Sequence, residues 1–145
     1  MNHFTLVTLH LFAALIFVGT VFFEVLMLEG VRSKVPREAM RAVERAIGAR
    51  ARQLMPFVLL VLYGAGIGMA WEFRSALARP FDSMFGTLLT LKMVLAFSVL
   101  GHFIYAAPRA AQGSLRGRAS RFIHISVFLH MVAIVFLAKA MFYIR

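Results

Sequence analysis

The chain has 145 residues, 61% of them hydrophobic, and a mean hydropathy of +0.83, where a soluble domain carries about 45–50% apolar residues. It has no cysteine, which excludes disulfides, zinc–thiolate sites and iron–sulfur clusters. The net charge of +10 lies between apolar runs, so it predicts orientation in a bilayer and not nucleic-acid binding.

The first apolar run, about 4–28, carries two strongly polar side chains, His10 and Glu24. At the helical period His10, Ala14, Phe17, Val21 and Glu24 share one stripe, with Ala13 and Thr20 beside it. Lipid is a costly place for either polar group, so the stripe is expected to face protein. The run lacks a basic n-region and is too long for a signal peptide. Residues 29–54 follow, with Arg32, Lys34, Arg37, Arg41, Arg45, Arg50 and Arg52 against Glu29, Glu38 and Glu44. Met40, Val43 and Ile47 recur there at helical spacing. This predicts an amphipathic helix on or rising from the membrane surface, its arginines meeting anionic headgroups; a basic protein-docking face is the alternative.

Span two, about 55–71, holds Pro56, Gly64, Gly66 and Gly68. The glycines predict close helix–helix packing, or room for a flat cofactor. Pro80, Asp82 and Ser83 mark a turn. Span three, about 86–107, contains Lys92 and His102, and span four, about 122–143, contains His124, His130 and Lys139. The connector between them carries Arg109, Arg116, Arg118 and Arg121 without an acid, loosened by Gly113, Ser114 and Gly117. Methionines such as Met55, Met69, Met93, Met131 and Met141 read as core filler.

The expected fold is therefore all-α: one transmembrane domain over 1–145, an integral membrane four-helix bundle. Its amphipathic helix lies in the cytoplasm between spans one and two. Connectors one and three are the basic ones, which puts both termini outside, in the periplasm of a bacterial inner membrane. Depth along each span then sorts the polar residues. His10, Lys92 and Lys139 fall in an outer layer. Glu24, His102 and His124 fall near the inner face, with His130 closer to the middle.

Imidazoles on facing helices can hold a haem in a bundle. His102 and His124 match best in depth, with His130 in reserve and His10 as a further ligand in the outer layer. Lys92 would pair with a propionate or, with Glu24, tune charge and proton access. The expectation is a haem b protein that passes electrons to or from a membrane or periplasmic partner, which leaves room for a haem-dependent oxidoreductase. A homodimer is one arrangement such a bundle allows. Copper transport or resistance is the alternative, with His10 and Met93 or Met141 receiving the ion. A non-catalytic accessory subunit of a membrane complex, docked through the basic connector, is a third.

His10, Gly19 and Phe23 in LHLFAALIFVGTVFFEVL resemble the pattern that opens CopD-type copper-resistance membrane proteins. Lys92 and His102 in LLTLKMVLAFSVLGHF resemble the lysine-bearing helix of CopD and of the related HemJ protoporphyrinogen oxidases. Phe17 stands where the pattern has tryptophan, and no Asn-Glu-x-Pro segment occurs near the C-terminus. The resemblance implies a small stand-alone member of the CopD/HemJ superfamily, with copper handling or haem b binding as its activity.

Overall fold

The computed structural model describes residues 2–113 and 118–144. Ser114, Arg116 and Gly117 of the third connector lie outside the described residues. Among the described residues there is no strand. The elements are α1 (His3–Phe22), a π-helical turn (Phe23–Leu28), α2 (Glu29–Val31), α3 (Arg37–Glu72), α4 (Arg74–Ala78), α5 (Met84–Ala111) and α6 (Arg118–Tyr143). Four helical stretches are long and apolar enough to cross a membrane: His3–Val31, Arg37–Glu72, Met84–Ala111 and Ala119–Tyr143. Few of their side chains are buried, and large apolar groups such as Phe12, Leu60, Ile104 and Phe136 stand exposed along them. That is the surface hydrocarbon solvates and water does not.

The chain divides into two compact units, Met1–Met69 and Ala70–Arg145. In the first, α1 and α3 run antiparallel. Leu6 packs at Gly68, and His10 at Gly66. Further along, Ile16 and Thr20 share a groove with Ala51, Leu54 and Met55. Arg32 then closes the hairpin, with its guanidinium 3.0 Å from Glu29 and 2.6 Å from Glu44. Leu6, Ala13 and Phe17 are the buried side chains of α1, while His10, Ala14, Thr20, Val21 and Glu24 are half-buried. The polar stripe is thus the less exposed side of span one.

Two features depart from the expected elements. The basic stretch is not a separate helix: α3 runs unbroken for 36 residues through Pro56. Hydropathy changes near Leu54, but the Arg-, Ala- and Leu-rich sequence keeps its helical preference across the change. At about 1.5 Å per residue the helix is roughly 54 Å long, against about 30 Å of hydrocarbon. The second departure is the π-helical turn at Phe23–Leu28, which contains Glu24. Such turns insert a residue, re-aim the side chains that follow, and recur at functional sites.

In the second unit Ser83 starts α5 by accepting the Gly86 N–H at 3.1 Å. The Thr87 hydroxyl donates to the Pro80 carbonyl at 2.8 Å. A β-carbon on Gly86 would stand 3.0 Å from the Ala76 carbonyl oxygen and 3.1 Å from that of Pro80, so α4 and the turn sit directly on this glycine. Phe85 links the ends of the unit, with ring centroids 5.3 Å from Phe73 and 6.0 Å from Phe142. Val99, 1% exposed, is the most deeply buried of the large side chains, and Met55, Met131 and Met141 are buried as core filler should be.

Ser83→Ala should cost about 1 kcal/mol, the usual worth of an N-cap. Gly86→Ala should cost more, about 1–3 kcal/mol, because backbone oxygens cannot step aside for the new methyl. Reversible unfolding of each variant in mixed micelles measures both, and the order of the two costs is the critical outcome.

Candidate functional site

The polar chemistry of the second unit gathers where α5 and α6 cross. The antiparallel register sets Ser98 beside His130 and His102 beside Ser126. Each histidine bonds the carbonyl four residues earlier on its own helix: His102 Nδ1 lies 2.8 Å from the Ser98 oxygen, and His130 Nδ1 lies 2.7 Å from the Ser126 oxygen. A carbonyl only accepts, so each Nδ1 carries the proton. In the neutral ring this leaves the Nε2 lone pair as acceptor. Across the interface His102 Nε2 is 3.1 Å from the Ser126 hydroxyl, and His130 Nε2 is 3.1 Å from that of Ser98. Each serine therefore donates its hydroxyl to one imidazole and accepts at its carbonyl from the other. The result is a closed ring of four hydrogen bonds with local two-fold symmetry. The imidazole centroids are 5.4 Å apart and tilted by 58°.

This geometry changes the expected histidine pairing. His102 meets His130, and His124 lies on an exposed part of α6. Depth along the span placed His102 near His124, but azimuth decides the contact. Ser126 faces His102, and His124 is about 200° around the helix from Ser126. The two Ser-x-x-x-His spacings, 98–102 and 126–130, were the sequence signal for the pair.

His10 follows the same rule in the first unit. Its Nδ1 is 2.8 Å from the Leu62 carbonyl oxygen. Gly66, one helical turn beyond Leu62, makes that approach possible: its β-carbon would meet the ring at 3.2 Å from Cε1 and 3.3 Å from Nδ1. Gly66 and Gly68 thus serve close packing, against His10 and Leu6. Gly64 has open space where its β-carbon would stand. Lys92 is half-buried on α5 and makes no hydrogen bond or ion pair with the described residues; Lys139 is exposed near the end of α6.

Beside the histidine pair runs an open groove of about 590 Å³ lined by Ser98, Gly101, His102, Tyr105, Ala119, Phe122 and Ile123. Its volume is within the roughly 300–1,000 Å³ of small-molecule sites. Gly101 leaves the wall bare next to His102, with nothing within 4 Å of its β-carbon position. The Arg109 guanidinium stacks 3.7 Å from the centroid of the Tyr105 ring and donates to the Tyr105 carbonyl at 2.9 Å. The groove therefore has His102 and Ser98 as its polar groups and apolar and aromatic walls, and Arg109 stacks on Tyr105, one of its lining residues.

The donor set can be tested against the groups expected of it. Among the described residues no three metal-ligating side chains cluster. A macrocycle clamped between His102 and His130 does not fit, because their helices touch and each Nε2 faces a hydroxyl on the opposite helix. A haem in the groove could take His102 as a ligand only by displacing the Ser126 hydroxyl from Nε2, 3.1 Å away. The ring's Nδ1 is tied to a carbonyl, as ligating imidazoles usually are, and Arg109 suits a carboxylate. No described protein family, curated protein or solved structure matches this chain.

A double-mutant cycle between Ser98→Ala and His130→Phe should give a coupling of about 0.5–2 kcal/mol, as for interhelical hydrogen bonds in membranes. The cycle between Ser98→Ala and His124→Phe should give almost none. Equal couplings in the two cycles would show that the ring of bonds does not form.

Proposed function

We propose that this is a small multi-pass protein of the bacterial inner membrane that binds haem b and passes electrons within the membrane. Both termini are assigned to the periplasm and the basic end of α3 to the cytoplasm, following the distribution of arginine. The observation that carries the reading is His102: an imidazole on a span long and apolar enough to cross a membrane, its Nδ1–H held by the Ser98 carbonyl, at the wall of an open groove whose Tyr105 carries the stacked Arg109.

In this reading His102 is the iron ligand, and the Ser98 carbonyl orients it by holding Nδ1–H. Arg109 takes the carboxylates, and the missing side chain of Gly101 lets a flat ring lie against α5. A haem bound there would supply one-electron chemistry. The chain's own part would be to fix one ring face and, at Arg109, to neutralise the acidic edge. His130 holds Ser98, and through it the local geometry of His102. Lys92 is a charge-tuning candidate on α5, and His124 remains a candidate ligand from the exposed side of α6; His10 and Glu24, in the first unit, are candidates there for a ligand and a charge-tuning group. The resemblance of span one and span three to the CopD/HemJ superfamily points the same way.

Protein purified after expression with added haem precursor should show a Soret band and one iron per bound haem. His102→Ala should lose most of that band, and Arg109→Gln should weaken haem retention by about tenfold, the loss expected for one charge-assisted bond of roughly 1.5 kcal/mol. Copper without haem in the same sample would move the conclusion to copper handling. Neither metal, with a co-purifying partner, would make the chain an accessory subunit.

A further inference from the structure

The continuity of α3 creates a surface that the haem reading does not use. On this helix Arg37, Arg41, Arg45 and Arg52 fall within an arc of about 80° and extend over roughly 22 Å. All four are exposed, and none has a hydrogen bond or ion pair with the described residues. Gly48 lies in the middle of the arc, and a guanidinium nitrogen of Arg52 reaches back to within 3.5 Å of its β-carbon position. Two glutamates flank the stripe. Glu44 is held by Arg32 at 2.6 Å, and Glu38 lies at the other edge without an ion pair. The apolar residues of the same stretch, Met40, Val43, Ile47 and Leu54, occupy a different side, and Met40 is buried there at 4% exposure.

Four unneutralised guanidinium groups along one line make a cationic stripe that an anionic partner would complement. A second copy of the chain offers no acidic helix face to match it. The sequence has six acidic residues, at 24, 29, 38, 44, 72 and 82, and no two are three, four or seven apart. The bilayer can match only part of the stripe. About 30 Å of hydrocarbon counted from Trp71 along α3 ends near Ala51. Arg41 and Arg37 then stand roughly 15 and 21 Å beyond that boundary, past a headgroup zone of about 6 Å and a Debye length of about 8 Å. Headgroups reach Arg52 and leave the outer two unserved.

We propose that this stripe is a docking surface for an acidic helical segment of another protein, laid along α3 outside the membrane. Successive arginines at 37, 41 and 45 rise about 6 Å per step, the repeat of a helix with glutamate or aspartate at every fourth position.

The test uses the full chain in nanodiscs of phosphatidylcholine alone. The probe is a labelled helical peptide with glutamate at every fourth position, and the control is a peptide of the same composition with its glutamates clustered. The spaced peptide should bind more tightly than the clustered one. R37Q/R41Q should weaken that binding by about five- to tenfold, the loss of two exposed charge pairs at up to about 0.7 kcal/mol each. R50Q, on another face of the helix, should leave it unchanged. Equal binding by wild type and R37Q/R41Q, or of the two peptides, overturns the proposal. So does loss of peptide binding when phosphatidylglycerol is added to the discs, which assigns the stripe to lipid. Tighter binding of duplex RNA than of the spaced peptide overturns it as well. None of these readouts depends on haem.

Discussion

An imidazole in hydrocarbon needs partners for both ring nitrogens, and α5 and α6 provide them for two rings at once. A helix offers one kind of spare acceptor, the second lone pair of a carbonyl already bonded along the ladder. A histidine reaches the carbonyl four residues back with Nδ1, as His102 and His130 both do. The remaining nitrogen must find a donor outside its own helix. Serine is small enough to sit at a close helix crossing and carries such a donor, so Ser98 and Ser126 complete the set. The arrangement works only if the helices are antiparallel and in one register, because each serine serves the ring opposite. The hydrogen bonds thus fix the pairing of α5 and α6 in a medium where apolar contact with a neighbour is hardly better than contact with lipid.

The same economy of acceptors operates in α1 and α3. His10 also uses a carbonyl, that of Leu62, but on the other helix. This needs a gap over the carbonyl, and Gly66 leaves one. A glycine one turn beyond an acceptor in a span is therefore more than a spacer for tight packing: it opens the backbone to an interhelical bond. Gly68 does the simpler job and receives Leu6.

What the sequence disclosed follows from which forces act locally. Apolar runs longer than a bilayer are a one-dimensional property, so the four spans could be read directly. Turn chemistry at Pro80 to Ser83 was equally local, and Ser83 caps α5. The join between the basic stretch and span two was hidden, because hydropathy marks the edge of the membrane and helix preference does not change there. The π-helical turn around Glu24 was hidden for the opposite reason: it depends on tertiary fit and has no compositional mark. The candidate site was half visible. His102 and His130 stood out as intramembrane imidazoles, yet depth alone paired His102 with His124. Adding azimuth, by asking which residues lie four apart with a serine, would have selected His130.

The serine bonds also set a condition on anything that uses these histidines. A ligand that takes Nε2 of His102 displaces the Ser126 hydroxyl, which must then turn to another acceptor. Interhelical bonds of this type are worth about 0.5–2 kcal/mol, so a water molecule gains nothing by the exchange. Only a partner that binds Nε2 more strongly than a hydroxyl would displace it, and the Nδ1–H anchor would stay in place. The released hydroxyl can satisfy itself on the carbonyl one turn back, as helical serines do. The ring of bonds therefore orients both imidazoles and occupies both nitrogens of each, while the groove beside Gly101 stays open next to His102.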